Sequence, residues 1–308
     1  MWFIIGLSVI LIVLFLICNY FYKLAVCSGK KPFLKGNKDV PETFLGGIWV
    51  EGKEWLDKVD KAHFTLKSQD SLKLEAFLIP SSNADQKVFV VMAHGYNSKG
   101  MDLGAYAKFF NEELNFNVLA PDDRGHGQSE GKCIGFGWPD RLDLMDWIKF
   151  LIKTYGQDIK ILLFGVSMGG ATVLMLSGES LPPNVKAIVS DCSYTSAMDV
   201  LTYQMKRQFA LPPFPIMTVT SLITKLRAGY FLSEASALKQ VKKSRLPILF
   251  IHGEDDTFVP FEMVNRLYEA CKSDKKLFTV AGARHGESLI MDNDGYRETV
   301  KEFIRSTL

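Results

Sequence analysis

The sequence is poor in cysteine, and the few cysteines it has are scattered. An odd, dispersed set is not typical of a disulfide framework, and it contains no Cys-x-x-Cys pair of the kind that binds zinc. None of the histidines stands at a zinc-type spacing either, so we expect no metal site. The five cysteines are Cys18, Cys27, Cys133, Cys192 and Cys271.

An excess of charge of either sign is also missing. The 308 residues include 36 basic and 34 acidic side chains, which gives a formal net charge of +2. Nucleic-acid-binding domains usually present a strong basic excess, so this balance gives no reason to expect a nucleic-acid partner. Repeats and low-complexity tracts are absent, and the length suits one large α/β domain or two small ones.

Charge is absent altogether from Trp2 to Tyr22, where Phe, Ile, Leu and Val predominate. As a helix rising about 1.5 Å per residue, this stretch would be roughly 30 Å long, which is the thickness of a bilayer core. Aromatic residues stand at both of its ends, as they do at membrane interfaces. We predict a retained transmembrane anchor over residues 1–22, and hence a single-pass membrane protein.

Other interpretations of this stretch fit less well. A cleaved signal peptide would carry Lys or Arg before the apolar run, would be shorter and would end in small residues. A lipoprotein signal would need a small residue before the cysteine, whereas Ile17 precedes Cys18 and Val26 precedes Cys27. A buried core helix would have an outer face that is entirely apolar.

Residues 23–61 are predicted to form a connector. It contains a segment from Glu42 to Val59 that could be helical. Lysines are found after the anchor but not before it, so the positive-inside rule favours a cytoplasmic location for the rest of the chain. Unpaired cysteines agree with a reducing compartment. The lysines are Lys23, Lys30, Lys31, Lys35 and Lys38.

From about Ala62 onward, apolar strand patterns alternate with helical patterns. Two antiparallel strands come first, and continuous apolar strands separated by helices follow, which is typical of a mostly parallel sheet covered on both faces. The predicted strands are His63–Leu66, Leu72–Ile79, Val88–Ala93, Asn117–Ala120, Ile159–Phe164, Ala187–Ser190, Ile248–Ile251 and Leu277–Val280, and the predicted helices lie near 103–114, 139–155, 169–177, 260–272 and 295–305.

One strand-to-helix turn has the sequence Gly165-Val166-Ser167-Met168-Gly169. The pattern Gly-x-Ser-x-Gly at such a turn is typical of a nucleophile elbow, in which a strained serine is exposed above the sheet. A side chain on either Gly165 or Gly169 would collide with neighbouring backbone. The turn also puts the Met168 N–H at a helix N-terminus, where it could stabilise an oxyanion.

Chemistry in parallel sheets lies at the carboxyl ends of the strands, where three further motifs stand. His94-Gly95 follows one strand, and the N–H of the next residue, Tyr96, is a candidate second oxyanion donor. A loop with His126, which we interpret as structural, follows another strand. The acidic turn Glu254-Asp255-Asp256 and then His285 complete the order serine, acid, histidine, which is typical of an α/β-hydrolase.

From about Ala62 to Leu308 the chain resembles α/β-hydrolases of the serine aminopeptidase-like and carboxylesterase-like branch. The matching motifs are His94-Gly95, Asp123–Ser129, Gly165–Gly169, Gly253-x-x-Asp256-x-x-Val259-Pro260 and His285. With the anchor, the chain is similar to membrane-bound, cell-surface bacterial hydrolases. This resemblance implies an extracellular catalytic domain, whereas the lysines after the anchor favour a cytoplasmic one. In this register Asp256, rather than Asp255, pairs with His285.

The sheet pattern is interrupted within residues 191–246, where related hydrolases insert a small cap. The Pro-rich apolar stretch Phe209–Met217 has two interpretations: it packs a crossover loop, or it forms an apolar wall over the pocket. The two interpretations are compatible with each other. Asp191 ends a strand close to the predicted site, where we expect a supporting, hydrogen-bonding role. The catalytic domain is predicted to cover residues 62–308.

We therefore expect a membrane-anchored serine hydrolase with the triad Ser167, Asp256 and His285 and no cofactor. A small or lipid-like acyl ester is the expected substrate, and the anchor is its expected link to the membrane. A serine aminopeptidase-type peptidase is the alternative within this class. A non-catalytic binding protein on the same fold is the alternative outside it, and the sequence carries no signal for the oligomeric state.

Overall fold

The computed structural model describes residues 1–34, 36–37, 39 and 46–308. Lys35, Lys38 and positions 42–45 of the predicted connector helix lie outside the described residues. In the part of the chain that is described, the strands are β1 (Ala62–Lys67), β2 (Lys73–Ile79), β3 (Val88–Ala93), β4 (Asn117–Pro121), β5 (Lys160–Val166), β6 (Val185–Asp191), β7 (Ile248–Gly253) and β8 (Lys275–Val280).

The helices follow the predicted alternation with the strands. Where one helix was predicted near 103–114, residues 100–113 form a 3₁₀ turn (Gly100–Leu103), a short α-helix and a π-helical turn (Phe109–Glu113) in succession. The α-helices in the described residues are α1 (Trp2–Ala25), α2 (Ile48–Lys58), α3 (Gly104–Lys108), α4 (Asp140–Tyr155), α5 (Met168–Leu176), α6 (Ala197–Phe209), α7 (Ile216–Ala228), α8 (Ala237–Val241), α9 (Glu262–Ala270), α10 (Ser288–Met291) and α11 (Asn293–Thr307).

The described strands form a single eight-stranded sheet in the order β1-β2-β4-β3-β5-β6-β7-β8. Strand β2 is antiparallel to both of its neighbours, β1 and β4. The following pairs in the sheet, from β4 and β3 through to β7 and β8, are parallel. The apolar runs of β3, β5 and β7 are buried because helices cover both faces of the sheet. The predicted α/β-hydrolase architecture is therefore confirmed.

Parallel register brings the functional loops to one edge of the sheet. Ala93 of β3 pairs with Gly165 of β5, and Val166 pairs with Asp191 of β6. Gly253 at the end of β7 pairs with Val280 at the end of β8. The loops that follow these strands leave the sheet on the same side, so residues far apart in sequence can meet there.

Helix α1 is long and apolar enough to be a candidate membrane span. It continues to Ala25, past the predicted end of the anchor, and its last turns pack on the hydrolase fold. Cys18, Phe21 and Tyr22 are buried in the same apolar core as helices α4 and α5. The division into anchor, connector and catalytic domain remains a prediction.

The interruption of the sheet pattern between β6 and β7 contains α6, α7 and α8, which we call the cap. Helix α7 packs along α1, so the cap and the N-terminal helix share a junction. The Thr220 hydroxyl donates to the Cys18 carbonyl over 3.4 Å, and the Phe21 and Phe209 rings meet edge-on with centroids 5.1 Å apart. We call this region the α1–cap junction.

Candidate active site

Ser167 lies at the sharp turn between β5 and α5. Its backbone has φ 57° and ψ −114°, a strained conformation that costs roughly 1–3 kcal/mol. A Cβ on Gly165 would lie 2.2 Å from the Gly169 carbonyl oxygen, and a Cβ on Gly169 would lie 1.9 Å from that of Ala93. Both glycines are therefore required for the helix to pass so close to β3 and β5.

The three side chains predicted as a triad lie in one hydrogen-bonded chain. His285 Nε2 is 2.9 Å from the Ser167 hydroxyl, and His285 Nδ1 is 2.7 Å from Asp256 Oδ2. All three residues are buried. With Nδ1–H donated to the carboxylate, Nε2 is left as the atom that can accept the serine proton.

The acidic turn separates its two adjacent aspartates. Asp255 is exposed, whereas Asp256 is buried and its Oδ1 accepts the N–H groups of Phe258 and Val259 at 2.9 and 2.8 Å. Burial raises the pKa of Asp256, but the imidazoles of His285 and His252 outweigh it and hold that pKa below its ordinary value. Asp256 is thus built to stay ionised.

His252 is a neighbour of Asp256 that the sequence analysis did not assign to the site. Its Nε2 donates to the Val259 carbonyl over 2.9 Å and lies 3.1 Å from Asp256 Oδ2. Burial lowers the pKa of His252, but the Asp256 carboxylate reverses this and raises it overall. In the sequence, the available sign of this pairing is that His252 stands four residues before Asp256. The geometry of the turn is what brings the two side chains together.

The predicted oxyanion donors flank the serine. Met168 is the first residue of α5, and the first N–H groups of a helix have no acceptor within it. On the other side, a Cβ on Gly95 would lie 3.6 Å from the Ser167 Cβ, so the His94-Gly95-Tyr96 turn passes beside the serine.

His94 holds this turn from within. Its Nδ1 donates to the Gly95 carbonyl over 2.9 Å, and its Nε2 accepts the Asp123 N–H over 2.9 Å. Burial lowers the pKa of His94, which favours the neutral ring that this pairing requires. Burial likewise lowers the pKa of His126 to about 3, and its Nδ1 lies 3.1 Å from the Arg124 carbonyl, outside the triad.

Tyr96 also connects the turn to helix α1, which the sequence gave no means of anticipating. Its hydroxyl donates to the Ala25 carbonyl over 2.8 Å. The Lys31 amine donates to the Leu24 carbonyl over 2.9 Å and lies 5.3 Å from the Tyr96 ring centre. Burial lowers the pKa of Lys31 to about 8. The open end of α1 is thus capped by a residue of the candidate site.

Asp191 lies beneath the serine. Its carbonyl accepts the Ser167 N–H over 2.8 Å, and its carboxyl accepts the Tyr296 hydroxyl over 3.1 Å. Burial raises the pKa of Asp191 to about 6, with the Tyr296 hydrogen bond opposing the shift. The second carboxyl oxygen, Oδ1, is buried without a partner among the described residues.

Two cavities meet at Ser167. The apolar pocket lies under the cap and is bounded by α1, α6 and α7. The second cavity, which we call the cleft, lies on the other side of the serine, and its mainly apolar lining also includes Lys31, Lys53, Asn97 and Asp102. Among the described residues, no group of three or more His, Cys, Asp or Glu side chains is placed to hold a metal ion.

Two family models match the chain. Residues 88–215 match the alpha/beta hydrolase fold, and residues 197–293 match the family described as serine aminopeptidase, S33. Together these matches support the assignment of the protein as a hydrolase. They include Ser167, Asp256 and His285, which are linked by hydrogen bonds at the site.

Comparison with individual proteins agrees with the two family matches. The uncharacterized protein YqkD of Bacillus subtilis is 29% identical over 80% of this chain and 84% of its own length. The uncharacterized membrane protein YNL320W of Saccharomyces cerevisiae is 26% identical over 78% of each chain. The esterase Pf2001 of Pyrococcus furiosus has the same fold, with a TM-score of 0.66, 24% identity and coverage of 82% of this chain and 93% of its own. The chain therefore has the α/β-hydrolase fold, and its family matches and structural neighbours support the serine aminopeptidase-like and esterase-like branch of that superfamily.

Proposed function

We propose that the protein is a membrane-anchored serine hydrolase that cleaves acyl esters. The observation that carries this proposal is the Ser167–His285–Asp256 hydrogen-bonded chain at the mouth of an apolar pocket. The chain of contacts can activate a serine, and the pocket suits an acyl group better than a charged one.

In the proposed reaction, Ser167 Oγ attacks the acyl carbonyl while His285 Nε2 takes its proton. The tetrahedral intermediate collapses, the bond to the alcohol breaks and His285 returns the proton to the departing alkoxide. Water then attacks the acyl-serine with the same proton transfers and releases the acid. Asp256 holds the imidazole in the productive tautomer and stabilises its charged form.

The oxyanion of each intermediate would be stabilised by the backbone N–H groups of Met168 and Tyr96. One such donor is worth about 3–4 kcal/mol in other serine hydrolases. The hydrogen bonds of His94 keep the second donor in place by fixing the turn that carries it. The proposed reaction needs no metal ion or organic cofactor.

A fluorophosphonate tests the proposal because it reacts with activated serines whatever their natural substrate. We expect the full-length protein to be labelled and to hydrolyse p-nitrophenyl esters, and Ser167→Ala to lose both by a factor on the order of 10⁴ or more. Ser177→Ala, ten residues further along the same helix segment, is the control and should keep both. Labelling of Ser167→Ala would refute the nucleophile, and an unlabelled wild type would favour a non-catalytic protein.

Peptide cleavage is the second candidate, and the match to the serine aminopeptidase family over residues 197–293 favours it. The two activities differ in the leaving group, so the same protein should be compared on p-nitrophenyl esters of increasing length and on aminoacyl amides. We expect the esters to be cleaved faster. Amides cleaved faster than every ester would replace the esterase with a peptidase.

Membrane attachment is proposed from the apolar α1, and a relative named as a membrane protein supports it. The lysines after α1 lead us to propose a cytoplasmic catalytic domain. The protein should sediment with membranes on ultracentrifugation, and protease added to intact cells should leave the domain uncut. A soluble full-length protein would refute the anchor, and cleavage without lysis would place the domain outside.

A further inference from the structure

The last turns of α1 form part of the wall of the apolar pocket. Phe21, Leu24 and Ala25 border the same cavity as Ser167, together with cap residues such as Phe209 and Met217. The pocket therefore lies at the α1–cap junction, and an acyl group bound in it would contact the candidate membrane helix directly.

The cap contacts α1 well inside its apolar stretch. Cys18 Sγ lies 3.6 Å from the Ile216 carbonyl, and Leu14 is the earliest α1 residue packed on the core of the domain. Lys23, which is exposed, is the first charged residue after the apolar stretch and marks its water-facing end. Along the helix axis Cys18 lies about 7.5 Å before Lys23, so the start of α7 is at membrane depth when α1 crosses a bilayer.

The outer face of the cap carries large exposed apolar side chains, with the exposed Arg227 at its edge. Thr218, Leu222 and Leu226 follow one another at four-residue spacing on the exposed face of α7. Leu222 is 50% exposed, Leu226 77% and Phe214 76%, although large side chains of this kind are usually buried in water-soluble domains. Interfacial helices sink about 5–10 Å into the boundary between headgroups and acyl chains, which agrees with the position of α7.

We propose that the outer face of the cap lies in the membrane interface and that the apolar pocket takes its acyl chain from the bilayer at the α1–cap junction. The substrate class is then a membrane-resident lipid ester. Its acyl chain occupies the apolar pocket, its carbonyl lies at Ser167, and its polar head occupies the cleft near Lys53 and Asn97. This inference rests on the proposed function, both for the chemistry and for the membrane anchoring of α1.

The membrane contact can be measured without any substrate. Tryptophan would be introduced by Leu226→Trp on the cap and by Val50→Trp on α2, where Val50 is also exposed, at 42%. In vesicles of brominated phosphatidylcholine, we expect the emission added by Leu226→Trp to be quenched and that added by Val50→Trp to remain. Equal quenching, or none at either position, would overturn the placement of the cap.

The role of α1 in the pocket is tested with Leu24→Trp, which fills the cavity from the helix side. Full-length protein in phosphatidylcholine vesicles would be assayed on monooleoylglycerol in the bilayer and on p-nitrophenyl acetate in water. We expect kcat/KM for the oleoyl ester to fall at least about tenfold more than that for the acetate. Val50→Trp, on α2 and outside the pocket, is the matched control and should keep both activities.

The outcomes separate this inference from the proposed function. Parallel losses on both esters by a folded Leu24→Trp variant would refute acyl binding at α1 while leaving the esterase intact. A wild type that hydrolyses p-nitrophenyl acetate but not monooleoylglycerol in the bilayer would refute the lipid-ester class. A wild type inactive on both and unlabelled by fluorophosphonate would refute the proposed function itself, and the quenching result would still decide where the cap lies.

A second inference concerns two cysteines after α1 and β4. Cys27 and Cys133 are partners in an isolated antiparallel bridge. The Ser28 N–H donates to the Lys132 carbonyl over 3.0 Å and the Ile134 N–H to the Val26 carbonyl over 2.7 Å, so the cysteines form the non-hydrogen-bonded pair of the bridge. Cα atoms in such pairs are about 4.5 Å apart, which is within disulfide range.

We infer that oxidised glutathione converts this pair to a disulfide. One deprotonated cysteine attacks glutathione disulfide and releases a glutathione thiolate, and the second cysteine then displaces the other glutathione. Two protein thiols are oxidised, one glutathione disulfide is reduced to two thiols, and the two protons lost by the cysteines are taken up by the two glutathione thiolates. Both cysteines are partly accessible, and both are free in the structure. The bond would tie the end of α1 covalently to the loop after β4.

The test is oxidation of the full-length protein in membranes with oxidised glutathione, followed by denaturation, alkylation of free thiols, digestion and mass spectrometry. We expect a linked peptide pair containing Cys27 and Cys133, and alkylated Cys192 and Cys271. Cys133→Ser should remove the linked pair. Recovery of both cysteines alkylated, or linked to other partners, would refute the inference.

Discussion

The strand-end site and the α1–cap junction lie on either side of the apolar pocket and are built differently. The strand-end site, which comprises Ser167, Asp256, His285 and the turns around them, consists of buried polar groups, and some of these are fully hydrogen-bonded, as Asp256 and His94 are. The junction consists of apolar side chains, some of them exposed, and relatively few polar contacts. The first arrangement can hold reacting atoms in place, whereas the second can adapt to an acyl chain and a membrane.

This contrast has a consequence for substitution. A buried hydrogen-bonded site fails when one partner is changed, because the remaining group is left unpaired in a low-dielectric environment. An apolar wall tolerates changes of similar volume and responds mainly to changes of shape. The predictions below test the polar region first and then the point where the two regions meet.

The largest effect is expected from Asp256→Asn. The amide cannot stabilise the charged His285 ring and favours the wrong tautomer, so kcat should fall on the order of 10⁴-fold, as for other triads. Asp255→Asn changes an exposed carboxylate next to it and should alter kcat by less than about threefold. Steady-state hydrolysis of a p-nitrophenyl ester measures both, and the reverse ranking would assign the triad to Asp255.

A smaller effect is expected from Asp191→Asn, seen in the pH dependence of stability. Because the pKa of Asp191 is raised to about 6 in the folded protein, its contribution to stability is fully present below about pH 4, its ordinary range, and is lost as pH rises to about 6. This loss amounts to roughly 3 kcal/mol, and the variant should not show it. Thermal unfolding in detergent across this range should give a steeper decline for wild type, and parallel curves would contradict the prediction.

The smallest effect is expected from Tyr96→Phe, at the point where the two regions meet. The variant keeps the backbone N–H but loses the hydroxyl contact with the Ala25 carbonyl, so the turn beside Ser167 is held less firmly. We expect kcat to fall about tenfold with KM for a short ester little changed. Tyr230→Phe, which removes a similar buried contact with the Ile134 carbonyl, is the control. An equal fall in both variants would reduce Tyr96 to a structural role.

The strand-end site was readable from the sequence because each of its parts is local. The elbow, the His94-Gly95 turn and the Gly253–Pro260 turn are short motifs next to apolar strands, and parallel pairing brings the ends of such strands together. The strand predictions agree with the structure to within a few residues at each end. The catalytic roles of these residues remain predictions.

The α1–cap junction depended on the tertiary structure. The contacts of Cys18 with Ile216 and of Ala25 with Tyr96 join segments far apart in the chain, and apolar residues carry no mark of which apolar partner they will meet. Hydrophobic burial has no direction, so the pattern alone indicated a membrane anchor and an apolar cap separately. The sequence by itself determined the hydrolase sheet and the positions of its polar loops, because periodicity and turn chemistry are local. Only the folded chain decided that the anchor and the cap enclose the same pocket, because that depends on packing between distant segments.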